Sequence, residues 1–425
     1  MRLVADTASA ETVFRADTVV RRAADLWWLH PVRIMLMGLL PIYLSILAYD
    51  FKKIVPNTYV PSGLFFFGAL LIVAMAVGAQ WALTNSRHGT ALVPPRISLA
   101  AMMALLIPAL IAYVVWFGPL VARPQLLLEI INGQRQELRD DISTVKGVTT
   151  FTQFGVAYII AYAIKSGAGM QRLTRIEHVG AALLLLLAIF RAFAWAERLA
   201  VIELLVGFTI TRLAYLSIRK TSHWKMAASV PAAGPFVLYL LFTASEYFRS
   251  WEFYTNQYDS VWAFTLDRLI NYYATAANNG VGALVEMNGW PHYTGAFLFE
   301  SLYLMPGLGG LLDWTFGNSR GLEKIWLEVY ARPEFNSSPA YLRALLDVGY
   351  FGSIVYFLLV GYIIGRAYAG FRRGYTFGLL MYAVFVLFLI ESLRYSYLAE
   401  TRFVPLAVGL ILLAFDIRRL RLQTG

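Results

Sequence analysis

The hydrocarbon core of a bilayer is about 30 Å thick, and crossing it takes about 20 consecutive apolar residues in a helix. Ten stretches of this chain approach that description, at 32–49, 62–84, 98–121, 149–164, 178–194, 199–218, 227–246, 344–365, 375–391 and 403–416. Inside a membrane the backbone must satisfy its own hydrogen bonds, which favours helices for such stretches. Composition agrees, since 59% of the 425 residues are hydrophobic and only 15% are charged. Mean hydropathy is +0.59. The expected fold class is all-α, a polytopic integral membrane protein with about ten transmembrane helices. An unbroken helix over 178–218 would run about 60 Å, twice the membrane, so a turn is expected near 194–197.

The charges orient these spans. With the N-terminus placed in the cytoplasm, 20 of the 36 Lys and Arg fall on the inner side. They occupy about 92 loop residues, against 16 basic residues in about 154 on the other side, and positive charge concentrates inside. Both termini are then cytoplasmic. Orientation accounts for most of the +10 net charge, so no nucleic-acid partner is needed. Residues 1–31 form a cytoplasmic amphipathic segment and lack the pattern of a secretory signal. Within it, Trp27 and Trp28 beside Arg21, Arg22 and Arg33 predict a helix lying at the headgroups. Residues 32–246 carry spans one to seven, 247–343 form a large outer segment, and 344–425 carry the last three spans with a basic tail.

The chain has no cysteine, which excludes disulfides, thiolate metal sites and cysteine nucleophiles. Five scattered histidines without an H-E-x-x-H pattern argue against a metal centre. Gly307-Leu-Gly309-Gly310 follows Pro306 with no strand before it, so it is a turn or a packing element and not a nucleotide loop. No cofactor is expected. Chemistry is left to carboxylates, His, Arg and Tyr.

A structureless loop as long as 247–343 would be unusual, so a folded cap or partly embedded helices are expected there. The segment holds 5 Trp, 9 Tyr and 7 Phe. These rings fit an interfacial aromatic belt, the core of a cap, or a groove on which sugar rings rest. Its densest polar run starts at Tyr247 and includes Arg249, Glu252, Tyr254 and Asp259, then Arg268, Tyr272 and Tyr273. A helix over 261–277 would put Arg268 and Tyr272 on one face, with Asn278-Asn279-Gly280 as its stop. Arg249 and Arg268 stand among uncharged polar groups suited to a ligand, although snorkelling or ion pairing is the ordinary role of such arginines.

Other candidates sit at span edges. Arg191 and Arg198 flank the turn near 194–197, with an ion pair from Glu203 to either as the competing structural reading. Asp347 lies at the outer mouth of the eighth span, where an unpaired carboxylate would be costly. Arg394 and Arg402 bound the last outer loop, and His292 follows Trp290-Pro291 on the outer side.

Three runs then carry a resemblance: Arg-Ser-Trp-Glu-Phe-Tyr from Arg249 through Asp-Arg-Leu-Ile-Asn-Tyr-Tyr at Tyr273, Phe190-Arg191 through Glu197-Arg198 to Glu203, and Asp347-Val-Gly-Tyr-Phe-Gly followed by Gly361 and Gly365. Together with the span pattern over most of the chain they resemble the bacterial oligosaccharide repeat-unit polymerases, the Wzy or O-antigen polymerase family. The resemblance implies a multi-pass bacterial inner-membrane glycosyltransferase acting in O-antigen, capsule or exopolysaccharide synthesis. Its donor and acceptor would be undecaprenyl-pyrophosphate-linked oligosaccharides, and a chain-length regulator and a flippase would be its partners beside membrane lipids. Arg249 and Arg268 are then expected at the pyrophosphate, because a guanidinium grips phosphoryl oxygens in bidentate fashion without titrating. Glu252, Asp259, Asp347 and His292 are the candidate bases. Arg191 and Arg198 form a second basic site, and Tyr254, Tyr272, Tyr273, Asn278, Asn279, Arg394 and Arg402 are expected to touch substrate. An O-antigen ligase shares this layout. A transporter or flippase is the rival of another class, but no internal repeat is visible and the ionisable groups gather at span ends.

Overall fold

A computed structural model of the chain describes residues 26–51, 57–86, 95–125, 145, 147–168, 171–195, 197–215, 221–287, 289–317 and 319–424. The described residues form helices and turns, with no strand among them. In chain order the first seven helices are α1 (Pro31–Ala48), α2 (Gly63–Thr84), α3 (Leu99–Ala122), α4 (Phe154–Ala168), α5 (Arg175–Trp195), α6 (Leu199–Leu213) and α7 (Thr221–Arg249). There follow α8 (Val261–Glu286), α9 (Leu308–Phe316), α10 (Arg320–Tyr330), α11 (Ala340–Arg373), α12 (Thr376–Glu391) and α13 (Phe403–Thr424). Most of the expected amphipathic segment at 1–31 lies outside the described residues, and Trp27–Leu29 forms a single 3-10 turn.

Five helices, α1, α2, α3, α5 and α11, are long and apolar enough to cross a membrane. The chain is therefore an all-helical, membrane-embedded protein. The remaining expected spans are helical as well but differ in character. Helices α4, α6 and α12 have 15, 15 and 16 residues, about 22–24 Å each and short of a full bilayer core. Helix α12 is apolar all round because it is enclosed by protein, burying Tyr382, Phe385, Phe388 and Leu389 among others. An apolar run thus marks burial, and burial inside a bundle reads in sequence much like burial in lipid.

The turn expected near 194–197 is present, with α5 ending at Trp195 and α6 starting at Leu199. Within α1 the Ile34–Leu39 section is π-wound just ahead of Pro41. Proline lacks an N–H and its ring crowds the carbonyl four residues back, which a wider turn relieves. Helix α8 continues to Glu286 through the Asn-Asn-Gly expected to stop it. The reason is that both asparagine side chains bond to other segments: Asn278 to Asn57 and Tyr59, and Asn279 to Phe335 and Ser337. They therefore do not compete for their own helix backbone.

Helices α2 and α11 make the closest contact in the bundle. A Cβ at Gly361 would strike the Met75 carbonyl, one at Gly365 the Ala79 carbonyl, and one at Gly78 the Leu358 carbonyl. Glycines four apart on one face let two backbones touch, the usual way for helices to associate where no water remains to be expelled. Farther out along α11, Gly349 adopts φ +66° and kinks the helix. The turn it creates receives 291–298, since the His292 and Tyr293 amides donate to the Leu346 and Asp347 carbonyls at 2.9 and 2.7 Å.

Substituting Gly361 by Ala forces the α2–α11 backbones apart, and about 1–3 kcal/mol of stability should be lost. Gly118 has open space around its Cβ position, so Gly118→Ala is the control and should leave stability unchanged or slightly raised. Thermal unfolding of the detergent-solubilised protein compares the two; equal melting temperatures would refute the packing role of Gly361.

Candidate functional site

Three arginines, on the α5–α6 turn and on the loop between α12 and α13, border one large cavity. Arg198 pairs with Glu246 at 2.8 Å, and its guanidinium lies 4.1 Å from the Phe242 ring and 5.4 Å from the Tyr272 ring. Arg394 pairs with Glu391 at 3.1 Å and lies 5.8 Å from the same Tyr272 ring. Tyr272 therefore stands between two guanidiniums, where ring faces attract cations. Arg402 pairs with Glu203 at 3.4 Å, while Glu203 also accepts from Tyr397 at 2.9 Å and Gln153 at 2.8 Å. Each guanidinium carries five N–H donors, and a single carboxylate engages at most two of them.

The cavity has a volume of about 1020 Å³. Besides Arg198, Arg394 and Arg402, its polar end is bordered by Tyr272, Tyr273 and Glu400. Burial pushes the Tyr273 hydroxyl up to about 12, so it stays a protonated donor at neutral pH. The rest of the wall is apolar, built by Trp28, Met37 and Ile42 on the α1 side and Pro235, Leu238 and Leu241 on α7. Arg33 lines the far end of α1. The lining holds four arginines (33, 198, 394, 402) and four glutamates (197, 334, 391, 400). The four arginines and four glutamates leave no surplus of positive charge on this lining, which offers guanidinium donors beside apolar side chains. Such a space suits an amphiphile with an anionic, multiply accepting head and a long apolar tail.

Behind the cavity lies a second tier of ion pairs. Arg268 reaches Glu246 at 2.6 Å and Glu334 at 2.8 Å, and is only 4% exposed. The Tyr254 hydroxyl also donates to Glu334 at 3.3 Å, and its ring stacks on Phe264 at 4.9 Å. Arg268 and Tyr254 do not line the cavity. Expected at the pyrophosphate and the substrate, they instead brace the carboxylates that position Arg198 and the 334–337 wall. Arg191 is a brace as well: it pairs with Glu197 at 2.6 Å, donates to Thr152 at 2.9 Å and lies 3.6 Å above the Trp116 ring. The expected pairing of Glu203 with Arg191 or Arg198 is replaced by its pairing with Arg402.

The four expected bases are not at the cavity. Asp347 is fully buried and accepts the amides of Gly295, Phe297 and Leu298 at 2.7, 3.2 and 3.1 Å, with the Thr294 hydroxyl at 3.3 Å. Those bonds organise the 294–298 turn. Glu252 and Asp259 are exposed and lie outside the lining, and His292 packs its ring against Phe297 at 5.9 Å. Arg249 is the last residue of α7, and its side chain falls outside the described residues. Asn278 and Asn279 tie loops together, as described above, instead of facing the cavity. Of the expected substrate contacts, Arg198, Arg394, Arg402, Tyr272 and Tyr273 do converge on it.

Sequence reasoning passed over Glu246, Glu334 and Glu400. Glu246 was legible only as the single carboxylate at the outer end of the seventh span. Glu400 had a better signal, as the one acidic residue in the short outer loop bounded by Arg394 and Arg402.

Fold and site together define an all-helical membrane protein with a partly open amphiphilic cavity bordered by arginines. No protein-family model matches this chain, and no curated protein or solved structure matches it either.

Removing the Glu246 carboxylate leaves Arg198 and Arg268 without a shared buried counter-ion, and breaking a buried pair in this way costs about 3–5 kcal/mol. Glu246→Ala should therefore lower the melting temperature strongly. Glu252→Ala and Asp259→Ala, at exposed positions, should change stability by less than about 0.5 kcal/mol. Fluorescence-detected thermal unfolding in detergent reads the difference, and comparable melting for all three variants would remove Glu246 from its central place.

Proposed function

We propose that the protein is a metal-independent membrane glycosyltransferase that polymerises undecaprenyl-pyrophosphate-linked oligosaccharide repeat units at the periplasmic face of the bacterial inner membrane. In this reading the chain crosses the membrane ten times, both termini are cytoplasmic, and 247–343 is the periplasmic cap. One observation carries it: the lining of a cavity of about 1020 Å³ combines apolar side chains of α1 and α7 with Arg198, Arg394 and Arg402. A polyprenyl pyrophosphate has the same two-part character, with an isoprenoid tail and a head rich in phosphoryl oxygens.

The chemistry follows from the substrate. A glycan joined to pyrophosphate through its anomeric carbon is already activated, so no nucleotide is required outside the cytoplasm. As the anomeric bond breaks, negative charge grows on the departing pyrophosphate. Guanidiniums fixed in advance by Glu246, Glu391 and Glu203 can bind that charge without reorganising, and such preorganised donors supply much of an enzyme's rate. Tyr272, gripped between Arg198 and Arg394, keeps the two forks apart at a fixed spacing.

Replacing Arg394 or Arg402 by Lys keeps the charge and removes the bidentate fork. Chain growth in proteoliposomes loaded with lipid-linked repeat units should fall about 10- to 1,000-fold at normal protein levels, the range expected for loss of one transition-state donor. Unchanged polymer length in both variants would sink the assignment. The products separate the neighbouring readings. Lengthened lipid-linked glycan means polymerase, transfer to lipid A core means ligase, and movement of unaltered substrate across the bilayer means transport.

A further inference from the structure

A second cavity, of about 400 Å³, adjoins the first, and Asn336, Ser337, Tyr395 and Glu400 line both. Its volume falls within the range of small-ligand sites, about 300–1,000 Å³. Its far wall carries Glu300, Glu323, Glu328, Lys324 and Arg343. Carboxylates, a carboxamide and hydroxyls together on one lining are groups that bond sugar hydroxyls. The wall between the two spaces is held firmly. Asn279 donates to the Phe335 and Ser337 carbonyls at 2.7 and 3.1 Å, and the Ser338 hydroxyl bonds to Glu323.

Glu400 stands apart among the carboxylates at this junction. Arg343 is committed to Glu300 at 2.7 Å and Glu323 at 3.0 Å, Arg394 to Glu391 and Arg402 to Glu203. Among the described residues no ion pair engages the Glu400 carboxylate, although it lies in the field of all three guanidiniums. Burial raises its pKa above that of an ordinary glutamate; Arg343 opposes the rise most, Glu300 adds to it, and Arg402 and Arg394 oppose it further. The group is thus an uncommitted carboxylate, basic enough to take a proton, on the boundary between two cavities.

We propose that the smaller cavity seats the acceptor sugar and that Glu400 is the general base that takes the proton from its attacking hydroxyl. The proposal rests on the larger cavity holding the polyprenyl-pyrophosphate donor. In the step, the acceptor oxygen bonds to the anomeric carbon of the donor glycan. The bond from that carbon to the pyrophosphate oxygen breaks, its electron pair leaves with undecaprenyl pyrophosphate, and the hydroxyl proton passes to Glu400.

The test uses the full chain in lipid nanodiscs with two readouts: binding of undecaprenyl pyrophosphate, and chain extension of lipid-linked repeat units extracted from the source bacterium. Glu400→Gln should slow extension about 100-fold or more, the lower end of what a general base contributes, while undecaprenyl pyrophosphate binds as before. Glu400→Asp keeps the charge but withdraws it by one methylene, and should slow extension about tenfold with the same affinity. Leu327→Trp, which fills the smaller cavity, should raise the KM for acceptor and spare pyrophosphate binding. With Glu400 in place, extension should decline as pH falls through a value above the ordinary glutamate range of about 4.3. Glu400→Gln should lack that acid limb. Extension by Glu400→Gln or Glu400→Asp at the wild-type rate overturns the proposal, and so does loss of pyrophosphate binding in step with activity. Failure of the wild-type protein to bind undecaprenyl pyrophosphate is a separate result, and it overturns the donor reading itself.

Discussion

The carboxylate of Glu246 is where the arginine-lined side of this molecule is tied together. It is fully buried near the end of α7 and reaches Arg198 on the α5–α6 turn and Arg268 on α8. A buried charge stripped of its partner costs several kcal/mol, so these three elements are held in one arrangement. From Arg268 the restraint passes to Glu334, which borders the large cavity, and to Tyr254 beyond it. The ionic tier therefore works as a frame, and the residues that face the cavity hang on it.

Packing in the membrane layer supplies the other half of the frame. Helices α2 and α11 meet backbone to backbone at glycines, and α12 is enclosed by its neighbours. A close-packed bundle leaves little space inside. The cavity lies between α1 and α7, and α7 contributes Pro231 and Pro235 to its wall. The apolar wall and the arginines that border it are held by different forces, helix packing for one and buried ion pairing for the other. Their junction is the place where an amphiphile fits.

Much of the helical plan was readable along the chain. The α5–α6 break, the long helix after Ser260 and the arginines at 198, 394 and 402 all follow from apolar run lengths and from charge placed at span ends. Other expectations failed for an identifiable reason. Arg268 looked available because its acidic partners Glu246 and Glu334 lie on other elements, and Asp347 looked like a candidate base because the amides it accepts lie 49 to 52 residues earlier. Asn278-Asn279-Gly280 looked like a helix stop because the carbonyls and amides those asparagines serve belong to 57–59 and 335–337. Residue type is local, whereas satisfaction of a polar group is not.

The sequence by itself determined that this chain is helical, that it lies in a membrane and that a small set of arginines stands at the ends of its apolar segments. These depend on the apolar content of successive segments, and desolvation acts on each segment separately. Tertiary structure decided which arginines are braces and which border a cavity, and it placed Glu400 between two spaces with no ion pair among the described residues. Those outcomes depend on the pairing of groups far apart in the chain. In a low-dielectric interior a charge is held by whichever partner the fold brings within about 3 Å, and sequence proximity has no part in that choice.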